Sequence, residues 1–144
     1  MDDRSPAARS RTMAAVRSSN TTPEREVRSA LHRLGVRYRL GQQIAVGTRR
    51  VKPDLAFKGA RVALFVDGCF WHGCPDHCRI PATNASYWTQ KIRRNRERDT
   101  VIDSELEAAG WRVIRAWEHS TPASVARRVT LTLRSRPPRV PYRR

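Results

Sequence analysis

The stretch Val62-Ala63-Leu64-Phe65-Val66-Asp67-Gly68-Cys69-Phe70-Trp71-His72-Gly73-Cys74 joins an apolar run to a cluster of metal-binding residue types. Five consecutive apolar residues, Val62 to Val66, predict a strand covered on both faces, which requires layers above and below it. Leu55 to Phe57 precedes it across a turn at Lys58-Gly59, so the two runs read as an antiparallel pair. Arg112 to Trp117 reads as a further strand. A helix over roughly 85–109, ending at Gly110, separates it from the Cys/His segment 67–81.

Outward from this centre, Thr21 and Glu24 have capping-box spacing, and Pro23 suits a first helical turn. Val27, Ala30, Leu31 and Leu34 recur at helical period before Gly35. Val36, Tyr38 and Leu40 alternate and predict a strand, and Gly41 to Lys52 reads as loop or irregular edge strand. A last helix begins near Ser120 or Thr121, with Pro122 in its first turn, and carries Val125, Val129 and Leu133. Residues 9–18 suit a short basic helix bearing Met13 and Val16. The order of helix, strands, helix, strand and helix predicts an α/β fold, a mixed sheet flanked by helices. We expect a loose N-terminus over 1–8, one domain over 9–134, and an extended Pro/Arg tail over 135–144.

The chain has 29 Lys and Arg against 13 Asp and Glu, a formal net charge of +16. Such a charge repels itself in the compact state and suits a polyanionic partner. Only Lys52, Lys58 and Lys91 are lysines; the remainder are arginines, whose forked donors match phosphates and guanine edges. No apolar run approaches membrane-spanning length and the N-terminus lacks a signal-like apolar segment, so the expected location is cytoplasmic and nucleoid-associated.

Cys69, Cys74 and Cys78 fall within ten residues, beside His72 and His77, which points to a metal site rather than a disulfide framework. Cys69, Cys74, His77 and His119 form the preferred Zn²⁺ quartet, with Cys78 as the reserve ligand. His119 would tie the loop to the last strand, and the closed shell would add folding free energy to a small domain. His32 reads as an exposed helix residue.

Asp54, opening a strand after Pro53, suits a Mg²⁺ ligand, because this hard cation needs few protein oxygens. On the long helix, Asn95 and Asp99 share the stripe of Trp88, Ile92, Ile102 and Leu106, where polar groups need partners. An Asp there can orient His72. Asp54, His72 and Asp99 thus supply a metal ligand, a base and an orienting group. Phe70, Trp71 and Trp88 can wedge between base pairs or pack the loop on the core; position alone leaves both open.

The string from Asp67 to His77 resembles the signature of the very short patch repair (Vsr) endonucleases. Asn20-Thr21-Thr22-Pro23-Glu24, Lys52-Pro53-Asp54, Tyr87-Trp88, Asn95 to Asp99 and Gly110-Trp111-Arg112-Val113 extend the likeness over about residues 9–120. The resemblance implies a restriction-endonuclease-like fold with a structural zinc site, in a monomer that nicks double-stranded DNA 5′ to the mispaired thymine of a T:G mismatch. It implies that Asp54 binds Mg²⁺ with the main-chain carbonyl of Val66, that His72 is the general base, and that Asp99 and Glu24 are active-site acids. It makes Phe70, Trp71 and Trp88 major-groove wedges and Met13 a minor-groove one, with a mismatch-repair accessory protein as a further partner. His119 stands where the family often has Cys. The Asp/Glu-x-Lys of related nucleases is missing after Phe65, which leaves the base role to a histidine of near-neutral pKa. The alternatives are a zinc-containing DNA-binding protein without nicking activity and a nuclease of this fold with another DNA target.

Overall fold

A computed structural model of the chain describes residues 21–69, 73–75 and 78–135. The proposed basic helix over 9–18 and the tail beyond Ser135 lie outside the described residues.

Helix α1, Thr22–Arg33, starts where the capping box predicted: the Thr21 hydroxyl accepts from the Glu24 amide at 3.4 Å. Its apolar stripe puts Val27, Ala30 and Leu31 into the core. Strands β1 (Ile44–Val46) and β2 (Arg49–Val51) then form a hairpin. Gly47, at φ 57, supplies the positive φ that a two-residue hairpin loop needs at its first central position. Strands β3 (Leu55–Phe57) and β4 (Val62–Asp67) pair antiparallel, and β4 pairs parallel with β5 (Arg112–Trp117). The 24-residue helix α2, Ala85–Ala108, makes the crossover between these parallel strands. Helix α3, Pro122–Arg134, is capped by Thr121 in the same manner as α1.

The result is three layers. On one face of the sheet β3-β4-β5, α1 and α3 bury Leu31, Val27, Val125 and Val129 against Leu55, Val62, Leu64 and Ile114. On the other face, Leu106 of α2 and the hairpin residues Ile44, Val46 and Val51 pack on Ala63, with Phe65 and Val113 beside them. Val62, Ala63 and Leu64 are each fully buried, as a strand covered on both sides must be.

Two expectations are corrected. Val36, Tyr38 and Leu40 do not form a strand. The segment makes a single bridge, Arg39 to Ala56, and Leu40 remains exposed. Val36 and Tyr38 reach the core as side chains, so the alternation records packing without a hydrogen-bond ladder. Conversely, the Gly41–Lys52 segment contains the β1-β2 hairpin, whose inward Ile44, Val46 and Val51 roof the second core. No helix among the described residues is long and apolar enough to cross a membrane.

Candidate active site and metal centre

The strand register gathers the site. Because β4 and β5 run parallel with Asp67 opposite Trp117, both chains leave the sheet side by side. Two residues farther on, Cys69 and His119 meet, fifty positions apart in sequence, with Sγ to Nδ1 at 3.2 Å. Because β3 runs antiparallel to β4, its N-terminal end lies at this same edge. Asp54 therefore stands beside the last residues of β4.

Asp54 is held by the sheet. Its amide donates to the Leu64 carbonyl at 3.0 Å, and the Val66 amide donates to its Oδ2 at 2.6 Å. Burial pushes the Asp54 carboxyl up to about 7; the Val66 amide pulls the other way, while Glu24, close enough to share a hydrogen bond, and Asp67 push it higher. Glu24, only 8% exposed, thus serves α1 with its backbone and faces Asp54 with its carboxyl. Two carboxylates, one from α1 and one from the residue before β3, thus meet in a protein of net charge +16, while Asp67 acts on Asp54 by charge alone and has its own oxygens on Arg115. A partly desolvated pair of carboxylates of this kind suits a hard divalent cation, which would offset the mutual repulsion.

The second cluster has soft donors. One ligand atom each from Cys69, Cys74 and His119 lies within 4.8 Å of the others. His119 Nδ1 stands 3.2 Å from Cys69 Sγ and 3.9 Å from Cys74 Sγ. A tetrahedral zinc shell with bonds of about 2.3 Å to sulfur and 2.0 Å to nitrogen has S···N edges of roughly 3.5 Å. The cluster therefore fits such an ion. Burial, then neighbouring Cys74 and Glu118, push the Cys69 thiol up to about 12, so ionisation requires a compensating cation. The loop is braced by Cys74 N donating to Cys69 O at 2.9 Å, and by Cys69 N donating to Glu118 Oε1 at 3.1 Å. Gly73 is also required here. Its φ is +65, and a Cβ would meet Ile92 Cγ2 at 2.8 Å, so the loop lies tight on α2.

Cys78 follows one turn after Cys74, its amide on the Cys74 carbonyl at 3.0 Å, but it is not in the three-residue group. His77, the preferred fourth ligand, lies outside the described residues, as do Met13, Phe70, Trp71 and His72. Trp88, half-buried in the first turn of α2, packs edge-to-face with Tyr87 at 4.9 Å between centroids. Asp99 faces the sheet, as the helical stripe required, and its carboxylate lies 3.8 Å from Arg115. His32 is exposed.

The sequence reading assigned no role to Asp67, Asp103 or Arg115. Arg115 Nε donates to both Asp103 oxygens at 2.9 Å, and Nη1 donates to Asp67 at 3.0 and 3.2 Å. Its signal was available, since a charged residue in the middle of Arg112–Trp117 must find buried partners. Asp67, at the end of an apolar run, carried the same signal.

The family model described as DNA mismatch endonuclease Vsr matches residues 1–79. Type II nicking enzyme V.NaeI of Lentzea aerocolonigenes is 54% identical over 114 residues, which cover 78% of this chain and 69% of that protein. Type II nicking enzyme V.XorIIP of Xanthomonas oryzae pv. oryzae is 47% identical over 122 residues, 82% of this chain and 85% of that protein. DNA mismatch endonuclease Vsr of Escherichia coli K12 is 36% identical over 115 residues, 78% of this chain and 70% of that protein. With a family model spanning more than half the chain and relatives aligned along most of it, the protein belongs to the DNA mismatch endonuclease Vsr family and is an endodeoxyribonuclease.

Proposed function

We propose that this endonuclease nicks one strand of double-stranded DNA 5′ to the mispaired thymine of a T:G mismatch, initiating very short patch repair. The observation that carries the reading is the buried Asp54 carboxyl, held by the Val66 amide and paired with Glu24 at the end of β4, in a strongly basic chain. Relatives named as nicking enzymes and as a mismatch endonuclease support it.

Asp54, with the main-chain carbonyl of Val66, holds Mg²⁺ in this reading. When bound, the ion neutralises charge on the scissile phosphate and its leaving oxygen. His72 takes the proton from the attacking water, Asp99 orients the surrounding groups, and Glu24 is an active-site acid beside Asp54. Phe70, Trp71 and Trp88 enter from the major groove and Met13 from the minor groove. Unstacking a base step is least costly at a mispair, which gives the wedge its selectivity. Cys69, Cys74, His119 and His77, with Cys78 in reserve, hold a structural Zn²⁺. The protein acts as a monomeric domain over 9–134 in the cytoplasm at the nucleoid, with a mismatch-repair accessory protein as a further partner.

The test is end-mapping of nicks on T:G, other mismatched, branched and matched duplexes, with and without Mg²⁺. We expect magnesium-dependent cleavage 5′ to the thymine of T:G, lost in Asp54→Ala and His72→Ala. Undiminished cleavage by either variant rejects its assigned role, and mismatch binding without any nicking returns the protein to a binding module.

A further inference from the structure

On the α2 face of the sheet, Arg115 stands at the centre of three carboxylates drawn from two elements. Its Nε and Nη2 grip Asp103 of α2, at 2.9 and 2.8 Å, and Nη1 bonds both oxygens of Asp67 at the end of β4. Nη2 also faces Asp99 of α2 at 3.8 Å. The Phe65 ring of β4 lies beneath the guanidinium, its centroid 4.2 Å from the central carbon. Asp67, Asp99, Asp103 and Arg115 line a cleft of about 300 Å³ that reaches Gly73 of the metal-binding loop.

Asp103 alone would satisfy one side of the fork and staple α2 to the sheet. The other side is directed at Asp67, the residue next to Val66, whose amide holds Asp54. The Asp67 carbonyl in turn accepts from the Glu118 amide at 2.9 Å, where the chain enters the His119 turn. Removing one cation from three close carboxylates would make them repel and separate, displacing the end of β4 from α2.

Resting on the hydrolytic reading above, we propose that Arg115 is a positioning residue of the nuclease, clamping Asp67 and facing Asp99 so that β4 and α2 hold the walls of the site at a fixed separation. It contacts neither ion nor substrate; it acts through the two aspartates. A fixed reacting geometry is expressed in turnover more than in ground-state binding.

The experiment measures kcat and KM for nicking of a T:G duplex at saturating Mg²⁺, and duplex affinity without metal, in wild type, Arg115→Met, Arg115→Lys and Asp67→Asn. In Arg115→Met, kcat is expected to fall about 10- to 100-fold while KM and metal-free affinity stay within about twofold. Arg115→Lys retains the charge without the fork and recovers about tenfold of that loss. Asp67→Asn keeps an acceptor for Nη1, preserves the fold, and lowers kcat without changing affinity. Combining it with Arg115→Met adds little further loss, because the pair acts as a unit. Near-wild-type kcat in folded Arg115→Met, or in Asp67→Asn should Arg115→Met not fold, overturns the proposal. A proportional loss of kcat and duplex affinity overturns it too, since that reports only a smaller folded fraction. Absence of nicking by the wild type rejects the hydrolytic reading itself.

Discussion

Two polar centres lie at one edge of the sheet and are built on opposite principles. The Asp54 carboxylate is fixed by the backbone: an amide from Val66 holds it, and the Asp54 amide donates to Leu64 of β4. The cluster of Cys69, Cys74 and His119 hangs on loop segments, and its His119 is exposed. The carboxylate is therefore in place before any ion arrives, and desolvation makes its charge a burden on the metal-free fold. The thiol cluster is the reverse, since its donors come from segments fifty positions apart, which a bound ion would tie together. A preorganised, charge-stressed pocket suits an exchangeable catalytic ion, whereas a soft, loop-borne shell suits a permanent one.

The sharpest break of this contrast is Asp54→Asn. We expect nicking to fall by at least about 10³-fold, while the thermal midpoint of the metal-free protein holds or rises, because the amide has no charge to desolvate. A variant that keeps its activity, or one that unfolds, would end the distinction. Stripping zinc with a strong chelator, or Cys74→Ser, should act in the opposite way. Stability falls by at least about 3 kcal/mol, which is roughly 10 °C in Tm for a domain of this size, and calorimetry with metal analysis reads it.

Acidity sharpens the comparison next. With the folded Asp54 carboxyl near 7, above its ordinary 3.8, its contribution to metal-free stability is fully present below the ordinary value and is lost as pH rises through about 7. Mg²⁺ must displace that proton, so the Mg²⁺ concentration for half-maximal nicking should rise about tenfold per unit below pH 7 and level off above it. A flat dependence from pH 5.5 to 8 would show that no ligand carboxyl titrates near 7. Gly73→Ala, whose Cβ would meet Ile92 at 2.8 Å at a φ of +65, should cost about 1–3 kcal/mol and weaken zinc retention. The smallest effect is expected from Cys78→Ser. With Cys78 in reserve, zinc stoichiometry by mass spectrometry stays at one per chain, whereas zinc loss would make Cys78 the fourth ligand.

Local chemistry made much of the fold legible. Thr21 and Thr121 announced the starts of α1 and α3 through side-chain oxygens that accept orphan amides. The run Val62–Val66 announced a doubly covered strand. The hairpin was missed because three-residue strands around Gly47-Thr48 carry too few alternations to register. Val36, Tyr38 and Leu40 alternated, yet pairing stops at Arg39, because period-two burial does not require a continuous ladder. In the site, Cys69, Cys74, His119 and Asp54 were legible as residue types with metal-ligand chemistry, whereas Glu24 read locally as part of a helix cap and gained its acid role only from the family resemblance. Asp103 and Arg115 had no motif of their own, and Asp67 opened the family string without a role of its own.

By itself the sequence determined the layers, the caps, the basic field and the set of donors, since each follows from local preference, period or charge. Only tertiary structure decided which donors meet. The parallel register of β4 and β5 sets Cys69 against His119, and the antiparallel start of β3 sets Asp54 beneath the Val66 amide. Arg115 then draws α2 to the end of β4. Strand register is a collective outcome of packing on both faces, and no single stretch of chain encodes it.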